Sequence, residues 1–158
     1  MDKIFNGRFT AKTDQDFVVF IIGMRVNKWW LFHRWLPVIL AMTKMLMTLQ
    51  KDKSLGMRGM ESFFRLFPTT TCLISYWDSF EHLDRFASDK SLPHYDAWMA
   101  FMKKAGKSGD VGIYHETYKV SQQGFECLYG NMPKFGLASA FSHEAVTPAS
   151  HSAKDRIK

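Results

Sequence analysis

The sequence predicts an α+β domain of split β-α-β order, with helices covering one face of an antiparallel sheet. Three observations carry this prediction. Residues 16–27 (DFVVFIIGMRVN) are apolar at odd and even positions alike, which marks a central strand covered on both faces. The strand and helix patterns that follow read β-α-β-β-α-β with one strand added, an order that interleaves helices with a single sheet. With 46% hydrophobic residues in a chain of 158 and only Cys72 and Cys127, one ordinary core is expected and a disulfide-stapled scaffold is excluded.

Residues 1–15 are expected to form a polar arm, and no secretory signal is read in them. After the first strand, residues 28–35 are aromatic and basic, and Pro37 stands where a helix can begin, since its missing N–H is an orphan there. The helix 37–51 is apolar around most of its circumference, so more than one surface must cover it. Two strands follow, 56–66 and 69–77, as an antiparallel pair. Asp78 and Glu81 have capping-box spacing for a helix 80–87. A further helix starts after Ser91, where His94, Trp98, Phe101, Met102 and Ala105 repeat at helical spacing until Gly106. Strands 110–120 and 125–129 flank Ser-Gln-Gln-Gly and predict a hairpin. Residues 138–158 have no apolar period and read as a flexible tail, which leaves 16–137 as the domain.

The charge of +6 is spread along the chain without a basic block, so it reads as a solubility feature and not as a nucleic-acid surface. The apolar runs 17–24 and 35–43 are far shorter than the roughly 20 residues a membrane span requires. A cytoplasmic protein without a membrane partner is expected, and Trp29, Trp30 and Trp35 are expected to be buried near a dimer seam. No nucleotide, zincin or serine-hydrolase motif occurs. No structural metal is expected.

Several side chains are candidates for chemistry. Arg25 and Asn27 share a strand face with Ile21 and Gly23, and Arg offers a forked pair of donors to an oxyanion. His94 and Trp98 project from one helix face. His115 and Glu116 are adjacent on a strand and point to opposite faces. Glu116 shares its side with Tyr114 and Tyr118, an aromatic wall suited to desolvating a carboxyl group, whereas His115 is the more versatile acid/base. Trp77, Trp98 and Phe101 are the remaining candidates for a substrate wall.

The segments Tyr76-Trp77-Asp78-Ser79-x-Glu81-x-Leu83 and Leu92-Pro93-His94-x-x-Ala97-Trp98 resemble the antibiotic-biosynthesis-type monooxygenases of the dimeric α+β barrel, or ferredoxin-like, superfamily. Met24-Arg25-x-Asn27-Lys28-Trp29-Trp30, Gly112-x-Tyr114-His115-Glu116-Thr117-Tyr118 and Tyr129-Gly130-Asn131-Met132-Pro133 are similar to one branch of that group. The likeness spans about residues 16–137. It implies a homodimer and a small-molecule oxygenase of natural-product biosynthesis that needs no cofactor, with a pocket between sheet and helices. Haem-dependent relatives, among them aldoxime dehydratases, imply the alternative of haem held by His94. From another class comes a non-catalytic protein that only binds a small ligand. The sharpest expectation is that Arg25, Asn27, His94 and His115 converge on one pocket.

Overall fold

The apolar run after Asp16 becomes β2 (Phe17–Val26), an inner strand of a four-stranded antiparallel sheet ordered β3-β4-β2-β5. Its neighbours are β4 (Thr70–Trp77) and β5 (Val111–Val120), and β3 (Met57–Arg65) forms the far edge. This computed structural model describes residues 2–92, 95, 96, 99 and 108–157, with the side chains of residues 41, 44 and 48 left out.

Period-two alternation divides β2 into two sets of side chains. Val18, Met24 and Val26 point toward the helices α1 (Phe32–Lys51) and α2 (Phe80–Ser88), where Val18 joins Leu49, Met57, Trp77, Leu83 and Phe86 in one core cluster. Met24 and Val26 join Val111 in a second, against Trp35, Val38 and Ile39. Burying each large apolar side chain contributes about 1.5–3 kcal/mol, so these clusters fix the helices to that face.

α1 begins at Phe32, five residues before the position expected from Pro37. The proline costs little there, because the only intrahelical bond it forfeits is to the carbonyl of His33 at the solvent-reached first turn. α2 is capped by Ser79, whose Oγ accepts the His82 N–H at 3.3 Å, and not by Asp78. The Asp78 carboxylate is already engaged by Arg58 at 2.6 Å and by the Gln15 amide at 2.9 Å. His94, Trp98 and Phe101, on the helix expected after Ser91, lie outside the described residues.

The expected hairpin after β5 does not form. Gly124 closes a turn by donating its N–H to the Ser121 carbonyl at 2.9 Å, but the chain then leaves the sheet as the Phe125 ring meets Phe17 at 5.3 Å. The next strand, β6 (Tyr129–Met132), pairs instead with β1 (Phe5–Thr10), which also pairs with the two-residue β7 (Glu144–Ala145). The amino-terminal arm is thus a strand of a second sheet.

Residues after 137 are likewise packed where a flexible tail was expected. Ala138 is fully buried, Phe141 meets Phe17 at 5.1 Å, and His143 stacks on Phe9 at 4.4 Å. Arg156 donates to Glu126 at 2.6 Å. Single residues make these contacts, so they leave no periodic signal in the sequence.

Candidate functional site

The register of β2 with β5 decides which candidates share a wall. Gly23 stands opposite Tyr114, Ile21 opposite Glu116 and Val19 opposite Tyr118, while Ile22 stands opposite His115. Arg25, Tyr114, Glu116 and Tyr118 therefore line the sheet face turned away from the helices, and His115 lies on the helix-facing side. The sheet separates Arg25 from His115, so the four expected residues do not converge on one pocket.

On the face away from the helices, the Tyr114 ring covers Gly23 from the neighbouring strand. A Cβ at Gly23 would come within 2.4 Å of both Tyr114 Cε1 and the Thr71 carbonyl oxygen, so the glycine admits a neighbour and leaves no room for substrate. Gly23→Ala is expected to destabilise the fold by roughly 1–3 kcal/mol through overpacking, readable as a lower urea midpoint at unchanged slope. The same change without loss of stability would show that Tyr114 swings away freely.

The Tyr114 hydroxyl is pushed up to about 12 by its hydrogen bond to Cys72 and by burial. The Tyr118 hydroxyl donates to Glu116 Oε2 at 2.5 Å, and this bond raises the Tyr118 pKa. Glu116 itself is exposed, so the tyrosines flank the carboxylate without desolvating it as expected. Asn27 donates to the Gly109 carbonyl at 3.1 Å and holds the turn that leads into β5. Arg25 is exposed and has no hydrogen-bond partner among the described residues. Farther along this face the protein covers itself, since Glu61 Oε1 accepts the Gly136 N–H at 2.7 Å and Gly59 packs against Ala140.

On the helix-facing side, His115 is exposed, with its ring 5.9 Å from that of Phe20 and no hydrogen-bond partner among the described residues. Trp77 faces the same way but belongs to the core and not to a substrate wall. It is 1% exposed, its Nε1 donates to Ser75 Oγ at 2.9 Å, and its ring centroid lies 5.5 Å from that of Phe86.

The sequence reading missed Asp110. Its buried carboxylate meets Lys28 at 2.6 Å and also Arg34, tying the start of β5 to the approach to α1. Hydrogen bonds from Lys28, Ser108 and Arg34 hold it well below the usual carboxylate range. A signal was present: no acidic residue lies between Asp16 and Asp52, so Lys28 and Arg34 had to find a counter-charge elsewhere in the chain.

Two surface depressions, of about 350 and 280 Å³, lie beside Asp78 and Lys119 and between Leu49 and Met60. Neither is lined by the candidates above. Among the described residues, no group of three or more His, Cys, Asp or Glu side chains is placed to hold a metal ion, and no helix is long and apolar enough to cross a membrane.

Residues 17–137 match the family described as monooxygenase af470-like. No curated protein matches the sequence. Of solved structures, the aldoxime dehydratase OxdRE in complex with butyraldoxime aligns with a TM-score of 0.69 at 15% identity, covering 89% of this chain and 41% of its own. A second aldoxime dehydratase aligns with a TM-score of 0.69 at 16% identity, over 93% of this chain and 45% of its own. The chain thus spans less than half the length of these relatives. SnoaB, a cofactor-independent oxygenase from Streptomyces nogalater, aligns with a TM-score of 0.46 at 13% identity, over 65% of this chain and 91% of its own. The fold is ferredoxin-like, as the split β-α-β order predicts.

Proposed function

The chain belongs to the monooxygenase af470-like family, and from that membership we propose that it is a small-molecule oxygenase acting on an apolar, oxygenated substrate held between the sheet and its helices. One observation carries this reading: His115 stands on the helix-facing side of β5, beside Phe20 and opposite Ile22, with no hydrogen-bond partner among the described residues. An imidazole without such a partner has a ring nitrogen to offer as a proton acceptor. It removes an acidic C–H or O–H proton, and the substrate anion then reduces dioxygen. The C–H bonds at the reacting carbon break and a C=O bond forms to one oxygen atom, while the other oxygen leaves as water with the two hydrogens lost, so that all four electrons taken up by dioxygen come from the substrate.

Arg25, Tyr114, Glu116 and Tyr118 lie across the sheet from that base. They line the part of the face that the described residues leave uncovered, where a second copy completes a homodimer. Light scattering is expected to give twice the 18.3 kDa of one chain. A mass near 18.3 kDa at micromolar concentration would contradict this.

The likeness to aldoxime dehydratases over most of the chain favours a second reading, a haem-dependent lyase or oxygenase. If haem were bound, His115, which has no hydrogen-bond partner among the described residues, is an imidazole that could hold it; His94, the ligand expected from the sequence, lies outside the described residues. Haem bound there would supply redox-active iron.

Spectra before and after adding hemin, together with dioxygen uptake on a panel of apolar phenols and enols, test both readings. Uptake by the colourless protein supports the first reading. A Soret band lost in His115→Ala supports the second, and binding without conversion points to a non-catalytic ligand carrier.

A further inference from the structure

α1 is apolar around most of its circumference, yet the sheet covers one side of it. Trp35, Val38 and Ile39 pack inward. Phe32, Leu36 and Leu40, spaced four apart, face outward and are 62%, 42% and 61% exposed. Just before the helix, Trp29 and Trp30 are 65% and 57% exposed in the single chain. The Val26 N–H donates to the Thr69 carbonyl at 2.9 Å, so the β3–β4 connection stands at the same end of the sheet. Its Leu66 and Phe67 are 76% and 81% exposed. A cluster of this size on a folded surface marks an interaction site.

The charges around it identify the partner. Lys28 and Arg34 flank the exposed tryptophans, no Asp or Glu occurs between Asp16 and Asp52, and exposed Arg65 sits at the hairpin end. Asp110, which pairs with Lys28 and Arg34 at this end, is buried, while those two side chains stay 45% and 49% exposed. Exposed Trp and Phe set beside Lys and Arg are the composition of a face that rests in the headgroup layer of a membrane.

We propose that Trp29, Trp30, the outward side of Phe32–Leu40 and the Leu66-Phe67 tip form a docking surface for an anionic phospholipid bilayer. The apolar side chains enter the headgroup region, and the surrounding bases meet lipid phosphates and carboxylates. This surface is independent of the oxygenase reading.

Flotation of the full chain with extruded vesicles, of phosphatidylcholine alone or enriched in phosphatidylserine, tests the proposal. Binding is expected to the anionic vesicles and to weaken as salt rises. Brominated phosphatidylcholine should quench tryptophan emission, less so in Trp29→Phe/Trp30→Phe. The doubles Leu36→Gln/Leu40→Gln and Leu66→Ser/Phe67→Ser alter exposed positions, so they should keep the wild-type melting temperature while losing about tenfold or more in vesicle affinity. Arg65→Gln should lose about fivefold. Absence of flotation with either vesicle, or equal flotation of wild type and both doubles, overturns the proposal. So does a wild type that ignores vesicles but changes its light-scattering mass when Leu36 and Leu40 are replaced, which would make the face a protein interface.

Discussion

His115→Ala is expected to lower turnover by about 10²–10⁴-fold, the usual contribution of a positioned general base. Stability should change by no more than about 0.5 kcal/mol, as for surface substitutions generally. The asymmetry follows from the surroundings of the ring. It is exposed, has no hydrogen-bond partner among the described residues and touches the apolar wall through Phe20, so truncation leaves no buried group unsatisfied. Arg25→Ala, on the other side of the sheet, serves as the contrast and should leave the proton-transfer step unaffected. Steady-state dioxygen uptake and urea unfolding of both variants make the comparison. An unchanged rate in His115→Ala would remove the base from the mechanism.

Trp77→Ala is expected to cost about 3–5 kcal/mol, the range for deleting a large aromatic side chain from a core. In a domain of this size that lowers the melting temperature by roughly 10 °C. The indole is 1% exposed and packs among Val18, Leu49, Met57, Leu83 and Phe86, so its loss leaves a cavity under both helices. Trp77→Phe should be milder, because the ring remains and Ser75 Oγ keeps its bond to the Phe20 carbonyl at 3.1 Å. Calorimetry distinguishes the two variants. A Trp77→Ala protein of normal stability and impaired ligand affinity would restore this residue to a substrate wall.

The strands of the main sheet were legible because each carries its own signal: β2 is apolar on both faces, and β4 is β-branched and aromatic. Adjacency alone placed His115 and Glu116 on opposite sides. Whether Arg25 would accompany one or the other was not legible, since it depends on how β2 aligns with β5. Arg25 stands opposite Gly112, and a slip of one residue would have brought it to the side of His115. Pairing of that kind joins distant parts of the chain, and local periodicity does not record it. The hairpin expectation failed for a related reason. Gly124 does make the turn, but the fate of Phe125 is decided by Phe17, far back in the sequence.

The second sheet has a bearing on the order in which the protein is made. β1 leaves the ribosome before the other strands of this domain, yet its partners β6 and β7 come at the domain's opposite end, and 124 residues separate Gly7 from Asn131, whose Oδ1 accepts its N–H at 2.8 Å. Pairing across such a separation closes a long loop and comes late in folding. Throughout synthesis β1 is therefore an unpaired edge carrying Phe5 and Phe9, a vulnerable state for a nascent chain. Lys3, Arg8 and Lys12, interspersed along the same stretch, keep it charged during that wait. The strand made first is the last to be secured.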